Sequence, residues 1–265
     1  MGDINKENDV LVSILIPAYN KPNFLKIALN SALQQTYKNI EIIICDDSTN
    51  NQVQTMVEPY LSKYSNIKYF NNGEPLGAYG IENSKKCLSL ANGEYINYLF
   101  DDDKFYCAKI QKMVKYLKDD SVSLVTSRRS RINSKGNVLP DIAATKPISN
   151  VDRIYDGKEI GRRMLLTQLN FIGEPTTALF RKKDIEGFGM FMGRQYECLV
   201  DMAMWLDLLL KGKFVYIPEI LSSFRIHRQQ KTSNRQIGIL GKKEIRYLLE
   251  DGCKAGFIGE NELKR

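Results

Sequence analysis

The sequence predicts an α/β fold whose central sheet is mostly parallel. Two observations support this: short apolar runs alternate with helical periodicity through the first half of the 265 residues, and three of those runs stop abruptly in polar clusters. Residues 11–16 (LVSILI) form the first buried strand, residues 21–36 carry apolar side chains at every fourth position, and residues 40–45 (IEIIIC) form the second strand. Because a strand–helix–strand unit joins parallel strands, a parallel sheet follows.

The alternation continues as far as residue 127. We predict, in chain order, a strand at 67–70, a helix at 78–91, a strand at 94–100, an amphipathic helix around 110–117 and a strand at 121–127. Residues 131–139 (RINSKGNVL) are then typical of a hairpin with Lys135-Gly136 at its turn, and residues 140–160 are polar and irregular. We predict further a strand at 176–180, a helix at 200–210, a strand at 214–218 and a helix near 237–249.

Neither a linker nor an internal repeat separates the two parts of the chain. We therefore predict one continuous globular domain, with a nucleotide-binding α/β half at residues 1–127 and a less regular half at residues 128–265. A hydrophobic content of 43% with 26% charged residues is ordinary for a globular protein and excludes the low-hydrophobicity class of disordered chains.

Composition also limits the cellular compartments and the classes of binding partner that we expect for this chain. No apolar run approaches the ~18 residues of a membrane-spanning helix, and the polar start of the chain predicts no secretory signal. Five cysteines without CxxC spacing argue against a disulfide scaffold and favour a reducing cytoplasm. The net charge of +7 suits an anionic partner, whether nucleotide, phospholipid surface or nucleic acid. Three clustered arginines at 128–131 stand in no recognition module, so we expect no nucleic-acid partner.

Chemistry is expected where strands end in polar residues. The three clusters are Pro17-Ala18-Tyr19-Asn20, Asp46-Asp47-Ser48 and Asp101-Asp102-Asp103. Because ligands bind beyond the carboxyl ends of the strands in an open parallel sheet, we expect the three to converge on one edge. GxGxxG, GxxxxGK[ST] and GxSxG do not occur, which argues against a dinucleotide fingerprint, a P-loop and a nucleophile elbow.

The triple aspartate is the strongest single signal. Three adjacent carboxylates repel one another unless a cation compensates them, and oxygen ligands suit Mg²⁺ or Mn²⁺ bridged to phosphate. The alternative is a solvated acidic turn or a helix N-cap. Asp46 and Asp47 are either turn residues or acceptors for a base or a ribose, and Tyr19 either packs or stacks on a base. The single histidine, His227, is either structural or a ligand of the same metal or diphosphate.

Three segments, in their order and spacing, resemble family 2 glycosyltransferases: VSILIPAYN, IEIIICDDST and GEYINYLFDDD. The resemblance covers roughly residues 11–228. It implies the GT-A fold, in which a single Rossmann-like nucleotide-binding α/β domain merges with an acceptor-binding half. It also implies inverting transfer of a sugar from a nucleotide-diphospho-sugar, with UDP-sugar favoured, to a hydroxyl of a glycan, glycoprotein or lipid-linked acceptor.

The resemblance also assigns site residues on the donor side. Those expected to bind the donor are Pro17, Tyr19, Asn20, Asp46, Asp47, Asn83 and Asp101. Those expected to hold Mn²⁺ or Mg²⁺ are Asp102, Asp103 and His227. Many members have an arginine before the asparagine that Asn83 matches, whereas this chain has Glu82, so a diphosphate contact must come from elsewhere.

On the acceptor side, Asp201 matches the general base of the family and Glu174 lines the acceptor pocket. The alternative for Asp201 is a helix N-cap. Phe100 and Val200 stand where many members have acidic residues, so a catalytically inactive nucleotide-sugar or glycan-binding module remains an alternative. A nucleotidyltransferase is disfavoured because no glycine follows the first strand. We expect a cytoplasmic enzyme, leave peripheral association with the inner face of the membrane open, and predict no oligomeric state, sugar or linkage.

Overall fold

The computed structural model describes residues 10–228, 230 and 235–264. Its strands are β1 (Val12–Ala18), β2 (Ile40–Asp46), β3 (Ile67–Asn71), β4 (Tyr95–Tyr98), β5 (Lys104–Phe105), β6 (Val122–Asn133), β7 (Val138–Leu139), β8 (Arg153–Tyr155), β9 (Ala178–Arg181), β10 (Met190–Phe191), β11 (Arg194–Gln195) and β12 (Lys213–Ile226). Its α-helices are α1 (Pro22–Leu33), α2 (Gln52–Leu61), α3 (Ile81–Leu90), α4 (Lys109–Leu117), α5 (Gly157–Thr167), α6 (Val200–Leu209), α7 (Arg235–Lys254) and α8 (Glu260–Leu263).

One central sheet runs through the molecule in the order β3-β2-β1-β4-β9-β6-β12-β5, with β7 on β6 and β8 on β12. The long pairs are parallel: β3, β2, β1 and β4 on one side, and β6 with β12 on the other. Between them β9 is antiparallel to both β4 and β6 and joins the two parts into one sheet. The α/β fold with a mostly parallel sheet is therefore confirmed, and β6 crosses the division expected at residue 127.

The strands form because their side chains are buried on both faces. In β1, Ile14 and Ile16 point to the face covered by α1, α2 and α4, while Leu15 points to the face covered by α3, α5 and α6. All seven residues of β2 are buried, as in a strand that lies between two layers of helices. Among the described residues, none of the helices combines the length and apolar character that crossing a membrane requires.

Several sequence predictions are confirmed and others are wrong. The first two strands pair in parallel, and the predicted hairpin forms with Gly136 at φ +89°. The helix predicted from residue 78 begins at Ile81 instead, because residues 77–80 all have positive φ. Helix α2 was not predicted. The irregular structure expected at residues 140–160 is wrong, since β8 and the start of α5 lie there.

Candidate active site

A cavity of about 580 Å³ opens at the carboxyl ends of β1, β2 and β4. Eight of the twelve predicted site residues line it: Pro17, Tyr19, Asp47, Asn83, Asp101, Asp102, Glu174 and Asp201. The other four, Asn20, Asp46, Asp103 and His227, lie beside it without contributing to its lining. The polar strand ends therefore converge on one edge of the sheet, as the sequence predicts, and the second half of the chain contributes the opposite wall.

The wall of the cavity at the ends of β1 and β2 rests on an amide network. Asn72 donates its side-chain amide to Asp47 Oδ1 at 2.6 Å and to Asn83 Oδ1 at 2.9 Å. Asn83 in turn donates to the backbone carbonyl of Cys45 at 2.9 Å, which fixes the first turn of α3 to the end of β2. The Asp47 carboxylate is thus held at the cavity wall, where it can accept a hydrogen bond from a hydroxyl or a base N–H.

Asp46 and Asn20 hold the loops instead of facing the cavity. Asp46 accepts hydrogen bonds from the backbone N–H of Ser48 at 2.9 Å and the hydroxyl of Tyr69 at 2.7 Å. Asn20 accepts from the Thr49 N–H at 3.1 Å and donates to its hydroxyl at 3.0 Å. Asn20 and Asp46 therefore fix the loops that surround the cavity. Tyr19, which is 46% exposed, remains accessible to a ligand in the cavity.

The three consecutive aspartates point in different directions. Asp103 is fully buried and accepts hydrogen bonds from the Thr176 hydroxyl at 2.6 Å and the Arg225 N–H at 3.0 Å. Burial raises the pKa of Asp103 well above its ordinary value. This carboxylate therefore braces the strand end against the second half of the chain, away from the cavity where Asp101 and Asp102 lie.

A lysine that the sequence analysis did not single out lies between Asp101 and Asp102. The Nζ atom of Lys21 is 2.6 Å from Asp101 Oδ1 and 3.1 Å from Asp102 Oδ2. Asp102 Oδ2 is also 2.8 Å from Nε2 of His227. The sequence does show that Lys21 is a cation in the loop directly after the first strand. Its spacing does not predict a contact with carboxylates that lie eighty residues later in the chain.

These contacts set the charge of the cluster. Burial raises the pKa of Asp101 to about 6, against the opposing effect of the Lys21 ammonium. For Asp102 burial acts in the same direction, but hydrogen bonds from His227 and Lys21 outweigh it and lower the pKa. Burial would lower the pKa of Lys21, yet the two carboxylates raise it well above its usual value. At neutral pH the ammonium is therefore charged and lies between two carboxylates.

The cluster has the donor types that a divalent cation needs. Asp101, Asp102 and His227 bring together carboxylate oxygens and an imidazole nitrogen, which suit Mg²⁺ or Mn²⁺. Within the part of the chain that the structure describes, no three His, Cys, Asp or Glu side chains form a ready metal site. The position between the two carboxylates already holds a positive charge, that of Lys21. Asp101, Asp102 and His227 therefore have suitable ligand atoms for a divalent cation, provided that the Lys21 ammonium moves away from the two carboxylates.

Asp201 lies in the first turn of α6, at the opposite wall. Its Oδ1 accepts the backbone N–H of Met202 at 2.8 Å and its Oδ2 accepts the side-chain amide of Asn170 at 2.6 Å. Burial raises the pKa of Asp201 to about 6, assisted by the nearby charge of Glu174 and opposed by these hydrogen bonds. The N-cap position belongs to Leu199, so the capping role considered for Asp201 is wrong.

Two residues that sequence reasoning missed hold this wall in place. Arg129, almost wholly buried on β6, forms an ion pair with Glu174 through Nε at 2.6 Å. Asn170 binds Asp201 and also accepts the N–H of Gly173 at 2.9 Å. The indole N–H of Trp205 donates to the Gly173 carbonyl at 2.7 Å. The segment that carries Glu174 is therefore fixed to both β6 and α6. No local sequence pattern predicts these contacts.

The cavity is acidic although the chain as a whole is basic. Its lining contains the five carboxylates of Asp47, Asp101, Asp102, Glu174 and Asp201. Lys21 is the only lysine or arginine among the lining residues that the structure describes. Among the described lining residues, an anionic ligand that enters this cavity consequently meets one cation and five carboxylates.

Comparison with known proteins places this geometry in a family. The model of glycosyl transferase family 2 matches residues 13–189, well over half of the chain. The chain belongs to glycosyl transferase family 2. An uncharacterized glycosyltransferase of Rickettsia conorii is 30% identical over 256 residues, which is 91% of this chain and 39% of the relative. One from Rickettsia typhi is 31% identical over 229 residues, 84% of this chain and 66% of that protein. The chain thus spans between two fifths and two thirds of these relatives.

A relative with a described activity covers a similar region. The Escherichia coli UDP-Glc:alpha-D-GlcNAc-diphosphoundecaprenol beta-1,3-glucosyltransferase WfaP is 28% identical over 226 residues, 85% of this chain and 81% of that protein. Among solved structures, Staphylococcus aureus TarS superposes with a TM-score of 0.68 at 16% identity, covering 95% of this chain and 41% of TarS. TarS 1–349 in complex with UDP-GlcNAc gives 0.65 at 16% identity, with coverages of 90% and 66%. These structures show that the fold is that of the family, the GT-A fold.

Proposed function

We propose that this chain transfers a sugar from a UDP-sugar to an acceptor hydroxyl, with inversion at the anomeric carbon. One observation carries the proposal. A single cavity has the polar strand ends, with Tyr19 and Asp47, on one wall and the half-buried carboxylate of Asp201 on the other. A donor lying across that cavity would present its sugar between a leaving diphosphate and a group able to accept a proton.

On the donor wall, Asp47 would accept from the base or ribose and the exposed ring of Tyr19 would stack on the base. Relatives support UDP as the nucleotide, since WfaP is named for UDP-Glc and TarS was solved with UDP-GlcNAc. Asn83 would keep its supporting position under the nucleotide through its hydrogen bond to Cys45. Base, ribose and diphosphate would then follow the sheet edge from β2 towards β4.

We propose further that Asp101, Asp102 and His227 would hold Mn²⁺ or Mg²⁺. Such a cation, when bound, neutralises charge on the departing diphosphate. The acidic lining supports this, because the described lining residues include five carboxylates and one lysine, and a divalent cation would reduce their repulsion of a diphosphate. The braced position of Asp103 leaves it outside this proposed ligand set.

On the acceptor wall, Asp201 would act as the general base. Its carboxylate takes the proton of the acceptor hydroxyl while that oxygen attacks the anomeric carbon from the face opposite the diphosphate. One C–O bond forms as the bond to the diphosphate breaks, which inverts the carbon. Asn170 and the Met202 N–H keep the carboxylate in place throughout. Glu174, anchored by Arg129, would line the acceptor pocket.

The acceptor proposed for the first test is a lipid-linked sugar. WfaP is named for the transfer of glucose to a GlcNAc-diphosphoundecaprenol acceptor, and this chain is similar to WfaP over most of its length. Cytoplasmic location at the inner face of a membrane, where such an acceptor would be met, belongs to the same proposal. The net charge of +7 is compatible with an anionic lipid surface.

The decisive experiment replaces Asp201 with asparagine. Asp201→Asn keeps the size of the side chain but cannot take a proton, so turnover of a UDP-sugar with a lipid-linked acceptor and Mn²⁺ should fall by ~10²- to 10⁴-fold. UDP binding, measured by calorimetry, should persist because the carboxylate faces the acceptor. The matched control is Asp156→Asn, at the N-cap of α5, which should leave turnover unchanged because asparagine caps a helix as well as aspartate does. A variant that retains more than about a tenth of wild-type turnover would refute the assignment.

Val200 and Phe100 are the observations that favour a second candidate, a binding module without catalysis. Such a module would bind UDP-sugars as tightly as an enzyme does. It would show no release of UDP by the wild-type chain with any acceptor, whereas the proposed enzyme releases UDP only when the acceptor is present.

A further inference from the structure

Lys21 is the only lysine or arginine among the described residues that line this acidic cavity, and the role proposed for the cavity assigns it no function. We infer that Lys21 is an exchangeable counter-ion: it holds Asp101 and Asp102 while the donor site is empty and becomes the contact for the donor diphosphate once a divalent cation takes the two carboxylates. This inference rests on the proposed function, since it names how the same site receives its donor.

The geometry shows competition for one position. Lys21 Nζ lies within 3.1 Å of an oxygen of each carboxylate, and its side chain is only 17% exposed. An ammonium and a metal ion cannot both occupy the space between the same two oxygens, because two like charges at contact distance repel strongly in a buried site. Two carboxylates with one ammonium keep a net negative charge, whereas a divalent cation neutralises them. Lys21 therefore has to leave before the cluster can bind a metal.

The position of Lys21 on the backbone allows that movement. It is the N-cap residue of α1, directly after Asn20, and its own side chain makes no cap hydrogen bond. The lysine stem is flexible and its ammonium carries three donors, so it can move without a change of backbone. The loop itself is held by a hydrogen bond that the backbone N–H of Tyr19 donates to Asp101 Oδ2 at 2.9 Å. A released ammonium would thus remain at the same strand end, facing the cavity.

The surroundings also determine what the released ammonium would bind. Glu82, in the first turn of α3, pairs with Lys85 at 2.9 Å, and neither side chain lines the cavity. No other lysine or arginine among the described residues lines the cavity. Among the described lining residues, Lys21 is therefore the one cationic donor that can pair with a diphosphate. Lys21 supplies that charged contact from the N-cap position of α1.

The test uses the fact that the two roles of Lys21 predict opposite changes in affinity: tighter binding of Mn²⁺ and weaker binding of UDP when the lysine is removed. In Lys21→Met the carboxylates lose their internal competitor, so the Kd for Mn²⁺ alone, followed by the electron paramagnetic resonance of free Mn²⁺, should fall by about tenfold. In the same variant at saturating Mn²⁺, the calorimetric Kd for UDP should rise by about tenfold, because a charged contact is lost. The matched control is Lys112→Met, which removes the surface pair with Glu219 and should change neither constant.

Opposite shifts support the inference, whereas shifts in the same direction or no shift in Mn²⁺ affinity overturn it. If Lys21→Met does not fold, Lys21→Gln, which can still donate to both carboxylates but carries no charge, is measured against the same expectations. If the wild-type protein binds Mn²⁺ but not UDP, the proposed function is refuted. The Kd for Mn²⁺ of the wild type and of Lys21→Met then tests whether Lys21 competes with the metal. Wild-type protein and variant that both fail to bind Mn²⁺ would overturn the inference itself.

Discussion

The carboxylate of Asp201 must be ionised to accept a proton, and burial raises its pKa to about 6. Turnover should therefore rise with pH through about 6 and level off above it. Asn170 donates to this carboxylate at 2.6 Å and so stabilises the charged form. Asn170→Ala should raise the pKa of Asp201 and move the acidic limb of the kcat profile by roughly one unit to higher pH. The exposed control Asn150→Ala should leave the limb in place, and an unmoved limb in both variants would contradict the positioning role.

At this scale the sequence identifies residues at strand ends better than it identifies their partners. Tyr19, Asp47 and Asp101 could be placed because polar residues that follow buried strands meet at one edge of a parallel sheet. Lys21 and Asn170 could not be placed, because their partners are 80 and 31 residues away in the chain. Such pairings depend on side-chain directions that exist only after the sheet and its loops have formed.

At the scale of elements, Arg181 ties three of them together at the end of β9. Its guanidinium is 2% exposed and donates to the backbone carbonyls of Val122 at 2.5 Å, Asp119 at 2.9 Å and Leu117. These carbonyls lie at the end of α4 and the start of β6. Arg181→Met should lower the free energy of unfolding by about 3 kcal/mol or more in urea titrations, since buried acceptors lose their donor. The exposed Arg246→Met, which breaks a surface pair with Glu250, should change it by less than ~0.5 kcal/mol.

Elements with strong periodicity were predictable and those stabilised by tertiary contacts were not. The fully buried strand β2 and the helix α4 have patterns that admit one interpretation. In contrast, β8 is three residues long and mostly exposed, and it is a strand because it pairs with β12. Helix α5 begins in a polar segment, where Asp156 caps it by accepting the Glu159 N–H, and its first buried apolar side chain is that of Ile160. Pairing and packing decide such elements, and short sequence windows contain neither.

At the scale of the whole molecule, the two hydrophobic cores share the strands that separate them. In β6, Leu124 belongs to one core and Val125 to the other, and in β12 Phe214 and Val215 are divided in the same way. Opening either core would therefore break strands on which the other depends. The cavity likewise takes its walls from both halves of the chain. Its ligand should stabilise the two halves together, so that the molecule behaves as one cooperative unit.

This arrangement predicts a single calorimetric unfolding transition, although the chain is longer than most two-state domains. The calorimetric and van't Hoff enthalpies should agree. UDP with Mn²⁺ should move the entire peak to higher temperature, because a ligand that binds only the folded state stabilises by mass action. Asp201→Asn, which keeps the donor wall intact, should show the same shift. Two resolved peaks, of which UDP moves only the first, would mean that residues 1–127 form a separate folding unit and that β9 does not couple the halves.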